Sequence, residues 1–321
     1  MLPVLEFTTY YKPVVWGGDR IARFKGIPSQ GPDIGESWEI SPLPGHESIV
    51  AAGPYAGITL NALVAKFPKE ILGNKVHERY NGQFPLLVKI IDSNKDLSVQ
   101  VHPDDNLAST RHNANGKTEM WYCVDPAPGA FLYLGFNRPM DPTTLRQMIA
   151  NNSLVDALGK FHIRRGDTVY IPSGRIHAIG AGNLIVEIQQ ASDITYRLYD
   201  YGRRDFDGKL RDLHIEDSIE AIRYDDIAEL PLNIIPEKGE SAHLLTCEYF
   251  TTSIRDIDGR LNLDLHALDS FTILMAIAGS LTVKTPDGHT TTLNQGHTVL
   301  VPAVIPSVEI TGHGQILTVN I

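Results

Sequence analysis

Cysteine is scarce in this 321-residue chain: there are two, Cys123 and Cys247, each inside an apolar run (EMWYCV and LLTCEYF). Both read as buried free thiols, which argues against a disulfide framework and against a thiolate-bound metal. Positive charge is also in short supply. Lys and Arg number 28 against 38 Asp and Glu, for a formal net charge of -10. That balance argues against nucleic acid or an anionic membrane as the main partner. An anionic small molecule stays admissible, because a site can be basic inside an acidic protein. Long hydrophobic runs are missing too: the longest, FTILMAIAG, is too short to span a bilayer. The N-terminal MLPVLEFTTYY has no basic stretch leading into an apolar one, so no secretion signal is expected and the chain reads as cytoplasmic.

What is present is ordinary globular material. Hydrophobic residues make up 42%, which argues against disorder, and the length suggests about two domains. Short β-branched and aromatic runs, punctuated by Gly, Pro, Asn and Asp, dominate. They include FPLLVKII (84–91), SVQVH (98–102), EMWYCV (119–124), AFLYLGF (130–136), DTVYIP (167–172), LIVEIQQ (184–190) and ITYRLYD (194–200). Strands this close together predict a sandwich or barrel rather than a parallel sheet. Three helical patterns interrupt them. One covers 59–73 and breaks near Pro68, one covers 141–158 with Asp141 as N-cap and Pro142 at the first helical position, and one covers 213–222. Residues 232–239 read as a linker, and strands resume from about 241.

The last part repeats an earlier one. Aligning Gly166 with Gly296 places Pro172 on Pro302 and the strand DTVYI on HTVLV. This is one β-module used twice. The copies differ where chemistry would sit: the first continues through Gly174 to His177, whereas the second has Val304 and Ser307 at those places. A scaffold that keeps its turns and loses a histidine points to a site in the first copy alone.

Candidate ligands gather around that histidine. Gln100 and His102, in LSVQVHPDD, are two apart and share a strand face, as do Lys117 and Glu119 in GKTEMWY. With His177 they make an N/O donor set suited to zinc, with iron, cobalt or manganese as alternatives. A single strand histidine is ordinarily a hydrogen-bonded core or surface residue; the cluster is what points to a metal.

The spacing G-x5-P-x-G-x2-H resembles the second cupin motif. LSVQVHPDD, GKTEMWY, QQASDITYRLYDYGR and GKLRDLHIE, with KPVVWGG (12–18) and IGESWEIS (34–41), resemble the short bacterial form of the type I mannose-6-phosphate isomerases over most of the chain. The resemblance implies a mainly β fold of two cupin-type jelly-roll modules with added helices. Residues 1–235 would form the catalytic module and 236–321 a second module without metal ligands. It implies one zinc held by Gln100, His102, Glu119 and His177, an active-site arginine at Arg197 and an active-site lysine at Lys117. The implied reaction interconverts mannose 6-phosphate and fructose 6-phosphate through an enediol or enediolate.

Around that core, Asp193 lies on the face of Arg197 and either orients it or acts as base; Lys117 and Glu119 are the other candidate bases. Lys95 and Arg203 are candidates for the phosphate and Trp16 for the site mouth, with Trp38 near it. The partner is a small sugar phosphate, and the chain is a monomer or homodimer. Two other readings use the same scaffold: a metal-dependent cupin of oxygenase type, and a non-catalytic sugar-phosphate-binding protein.

Overall fold

Apolar runs without polar alternation suit strands covered on both faces. Leu86–Ser93 and Asn183–Gln190 are such runs, and every residue of both is buried. In a computed structural model describing residues 2–321, they lie side by side in the middle of a seven-stranded antiparallel sheet. Its order is Leu232–Asn233, Asp167–Ile171, Glu119–Cys123, Asn183–Gln190, Leu86–Ser93, Ile34–Ile40 and Tyr10–Gly18. A five-stranded sheet faces it, in the order Tyr196–Tyr199, Val99–Val101, His177–Ile179, Phe131–Phe136 and Leu158–His162. Side chains from both, among them Trp121, Ile91, Ile185, Leu132 and Ile179, pack into one core between them. This is the expected jelly-roll module.

The outer faces are covered differently. Behind the five-stranded sheet, Val99, Val101 and Leu198 pack on the helices Pro142–Ala150 and Ile215–Ala221. Asp141 caps the first of these by accepting from the amides of Thr143 and Thr144. Behind the seven-stranded sheet, Val88, Met120 and Val186 share a core with the helices between Leu60 and Arg79 and with Phe250, Ile273 and Leu317 of the C-terminal module. That module is built on an eight-stranded sheet around the long strands Thr251–Asp264, Thr272–Lys284 and Ser307–Asn320.

The internal repeat holds at the turns. Gly166 and Gly296 both adopt left-handed backbone, with φ of 87° and 78°, and each opens the strand that follows. A side chain is strained in that conformation, which is why both copies keep glycine there. The expected helices form, with differences. The break at Pro68 separates Leu60–Lys66 from Pro68–Leu72, and a third short helix, Asn74–Arg79, follows. The pattern over 141–158 ends at Ala150, and residues 154–157 form a separate 3₁₀ turn. The linker contributes a two-residue edge strand, Leu232–Asn233. Two helices carry too little apolar periodicity to be seen in sequence: Arg20–Lys25 and Asp105–His112.

The sheets do not respect a cut at residue 235. The strand Leu5–Thr8 pairs with Thr298–Val301, so the start of the chain lies in the C-terminal sheet. Among the described residues, no helix is long and apolar enough to cross a membrane.

Candidate metal centre and sugar-phosphate site

Strand register assembles the site. Gln100 stands directly between His177 and Arg197 on the neighbouring strands, so one row of the five-stranded sheet carries all three. His102 follows on the same edge, one residue past the end of its strand. Glu119 opens its strand in the facing sheet, opposite Gln189 and Ile171. The two sheets thus bring His102, Glu119 and His177 together, with one ligand atom from each lying within 4.8 Å of the others.

The carboxylate of this cluster lacks hydrogen-bond donors, and both imidazoles turn a lone pair toward it. His102 Nδ1 and His177 Nδ1 lie 2.8 Å from the carbonyls of Ile194 and Arg175. A carbonyl only accepts, so each Nδ1 carries the proton and each Nε2 presents a lone pair. Those two nitrogens sit 3.6 and 3.5 Å from the carboxylate oxygens of Glu119. Glu119 is fully buried, and neither oxygen accepts a well-formed hydrogen bond. Lys117 Nζ is 2.8 Å from Oε2, an ion-pair contact whose angle falls outside hydrogen-bond geometry.

Electron pairs converge here in a dry pocket; Lys117 Nζ, 3.2 Å from His102 Nε2, meets part of that charge, and a bound cation would meet the rest. Burial, reinforced by Lys117, pushes His102 down to about 4, and burial pushes His177 down to about 4 against the pull of Glu119. Both imidazoles are therefore neutral near pH 7, the form that binds metal. Burial opposes ionisation of Glu119, but the Lys117 ammonium outweighs it and holds the carboxyl well below its ordinary range. Gln100 completes the set in position: its amide nitrogen is 3.3 Å from His177 Nε2. Rotation about its last side-chain bond exchanges the two ends of the amide and turns its oxygen inward.

A cavity of about 430 Å³ opens in front of the cluster, with Gln100 and Lys117 at its floor. Arg197, Arg211, Asp193, Asp205 and Phe206 form one wall, and Trp16, Leu97 and Ile91 contribute apolar surface. The other wall is a relay of alternating charges. Lys12 lies 3.7 Å from Glu36, Lys89 lies 3.5 Å from Glu36 and 3.3 Å from Glu187, and Lys117 lies 4.0 Å from Glu187. Two indoles fix the carboxylates: Trp38 donates to Glu36 at 2.7 Å and Trp121 to Glu187 at 2.9 Å. Burial would raise Glu36, yet Lys89, Lys12 and the Trp38 indole hold it at about 2. Glu187 Oε1 is buried without a hydrogen-bond partner.

Lys12, Glu36, Lys89 and Glu187 were not among the sequence candidates. The available signal was a charged residue inside an otherwise apolar strand, in LLVKII and LIVEIQQ. Arg211 was missed as well. Of the expected residues, Arg197, Lys117, Asp193, Trp16 and Gln100 line the cavity. Arg197 is half-buried, and burial followed by Arg211 lowers its pKa. It is anchored by Ser98 Oγ at 3.3 Å and the Asp212 carbonyl at 2.8 Å, so Asp193 is not what orients it. Asp193 is exposed at the mouth.

Lys95 and Arg203 are not brought to the cavity. Lys95 reaches the Val15 carbonyl at 3.2 Å, and Arg203 is tied to Asp200 and to the Asp96 carbonyl. Both come from segments whose side-chain direction no periodicity sets. Trp38 is enclosed in the core behind Glu36 rather than at the mouth.

A jelly roll with a His/Glu/His cluster that could hold a metal beneath a cation-lined cavity, followed by a second jelly roll with no such cluster among the described residues, defines a two-module cupin protein. Comparison with known proteins gives the family. Residues 4–124 match the type I phosphomannose isomerase catalytic domain, and residues 240–321 match the mannose-6-phosphate isomerase cupin domain. The chain is 36% identical over 304 residues to a mannose-6-phosphate isomerase of Streptococcus mutans, covering 94% of this chain and 93% of that protein. It is 39% identical over 271 residues to a Bacillus subtilis mannose-6-phosphate isomerase, covering 81% of each. A crystal structure of the mannose 6-phosphate isomerase from Bacillus subtilis superposes over the full length of both chains, with a TM-score of 0.88 and 32% identity. The chain belongs to the type I phosphomannose isomerase family. It is a sugar-phosphate isomerase of the cupin type, which sets aside the oxygenase and non-catalytic readings.

Proposed function

We propose that this cavity interconverts mannose 6-phosphate and fructose 6-phosphate, with a zinc ion held by His102, His177, Glu119 and the turned amide of Gln100. The observation that carries the reading is the convergence of two imidazole Nε2 lone pairs on the buried Glu119 carboxylate, whose oxygens accept no hydrogen bond, beneath a cavity with a cationic wall. When bound, the ion supplies positive charge beside the sugar oxygens, where an enediolate develops negative charge.

The chain's own residues do the rest. Arg197 and Arg211, with Lys12 opposite, offer the phosphate its counter-charges. This assigns to Arg211 the part expected of Arg203. Lys117 donates to the oxygens on C1 and C2 and stabilises the enediolate.

Glu187 is the strongest candidate base. Trp121 holds one of its oxygens, and the other, in ion-pair contact with Lys89 at 3.3 Å and Lys117 at 4.0 Å, accepts no hydrogen bond. It takes the proton from C2 of the open-chain aldose and returns it to C1, while the hydroxyl proton on O2 passes to O1. Glu119 is enclosed within the ligand set and Asp193 is wet, which makes both poorer choices. A positioned base of this kind typically contributes ~10²–10⁴-fold.

The test is a coupled isomerase assay on protein stripped of metal and then reloaded. Activity on mannose 6-phosphate is expected to vanish with chelator and return with zinc. A folded, metal-loaded sample that does not turn over would refute the assignment, and full activity after complete metal removal would refute the role of the ion.

A further inference from the structure

Among the described residues the C-terminal module carries no cluster that could hold a metal, yet it touches the segment that delivers two of the site residues. Tyr249, from that module, donates its hydroxyl to Asp105 Oδ2 at 2.7 Å. The other oxygen of Asp105 accepts from the Gly116 amide at 2.8 Å and from Gln190 Nε2 at 3.0 Å. Gln190 in turn accepts from the Thr118 amide at 2.8 Å and donates its own amide to the Thr118 carbonyl at 3.0 Å. Lys117 donates its amide to the Pro103 carbonyl at 3.0 Å.

Every backbone amide from Gly116 to Thr118 is therefore committed to this clamp, and Lys117 and Glu119 emerge from it. There is no slack at its start. A Cβ on Gly116 would lie 2.6 Å from Asp104 C and Asp105 N. The same carboxylate also follows His102 by three residues and, through Gln190, holds the end of the strand that carries Glu187.

We propose that Asp105 and Tyr249 are positioning residues for the isomerase reaction, and that through them the C-terminal module sets the placement of Lys117 and Glu119. The inference rests on the function proposed above. It explains what a second jelly roll without a metal contributes to turnover: its tyrosine fixes one oxygen of Asp105 so that the other stays aligned with Gly116 and Gln190.

The experiment compares wild type with Tyr249→Phe, Asp105→Ala and Asp105→Asn. The readouts are kcat, KM, the zinc dissociation constant and Tm. Tyr249→Phe removes one hydroxyl and no packing. It should lower kcat about 3–10-fold, with KM within about 2-fold and Tm nearly unchanged. Asp105→Ala should lower kcat further, by about 30-fold or more, and weaken zinc binding because Glu119 is no longer held.

Asp105→Asn keeps an oxygen for Gly116 and Gln190 and offers its NH₂ to the tyrosine oxygen. It should recover kcat to within about 3-fold of wild type. Wild-type kcat and zinc affinity in Tyr249→Phe and Asp105→Ala, with only Tm lowered, would overturn the proposal and leave a structural contact. Damage in Asp105→Asn equal to that in Asp105→Ala would overturn it too, since charge rather than geometry would then matter. Wild type without isomerase activity would instead overturn the functional reading, and zinc affinity across the variants would still decide the clamp.

Discussion

Replacing Lys117 by methionine separates metal binding from turnover. The ammonium is 2.8 Å from Glu119 Oε2, and both residues are buried, Glu119 completely. In metal-free protein the substitution leaves a carboxylate with no compensating charge in a dry site, at a cost of about 3–5 kcal/mol. In zinc-loaded protein the ion supplies that charge, and what remains is a packing change of about 1 kcal/mol. The difference, about 2–4 kcal/mol, should appear as a wider gap between the melting temperatures of the loaded and chelated protein. At about 2 °C per kcal/mol for a chain of this size, the gap grows by about 4–8 °C. By linkage, the same energy appears as zinc binding tighter by roughly 10²-fold at 3 kcal/mol. Activity should fall, because the enediolate has lost its donor. Scanning calorimetry with and without chelator, at fixed free zinc, measures the first effect, and a competition titration measures the second. Equal shifts of both melting temperatures, with unchanged zinc affinity, would show that Lys117 does not compensate a charge that the ion also compensates.

Arg197→Ala is expected to keep one zinc per chain and lose about 10²-fold or more in kcat, because a half-buried cation lining the cavity is removed while the proposed ligands stay in place; metal analysis beside the coupled assay checks it, and near-wild-type kcat would remove the assigned role. Glu36→Gln tests the charge relay by pH. Burial would raise Glu36, but Lys89 and Lys12 hold it at about 2 against an ordinary value of 4.5, so its stabilisation is complete above 4.5 and is lost as pH falls toward 2. Between about pH 5 and 3, wild type should lose about 2 kcal/mol more than Glu36→Gln in chemical unfolding. Parallel stability curves would refute the pairing.

The His102, Glu119 and His177 cluster was legible in the sequence because strand side chains obey a period of two. Gln100 and His102, and Lys117 and Glu119, announce shared faces, and a glycine-proline-glycine turn marks the arrival of His177. The charged wall was harder to read. Lys89 and Glu187 sit in runs so apolar that they read as strands buried on both faces. That is correct, but one buried face encloses a polar cavity rather than oil. Lys95 and Arg203 failed for a different reason. Loop side chains take their direction from tertiary partners such as Asp200 and the Val15 carbonyl, and no sequence period encodes those. Arg211, eight residues beyond Arg203, reached the cavity for the same reason. The Asp105 clamp is built on a helix of weak amphipathicity and on backbone amides, so its parts carry no residue-level signature.

The strand Leu5–Thr8 has a consequence for how the chain is made. Its partner strand, Thr298–Val301, lies almost a full chain length away. Leu5–Thr8 also pairs with Ile49–Val50, but its pairing with Thr298–Val301 closes a loop through most of this sequence, and contacts of such separation form slowly. Before that pairing forms, one side of Thr298–Val301 is bare, and a bare edge recruits neighbouring chains. Leu5–Thr8 thus acts as a clasp between the two modules, and the native sheet is complete only when the C-terminal module accepts it.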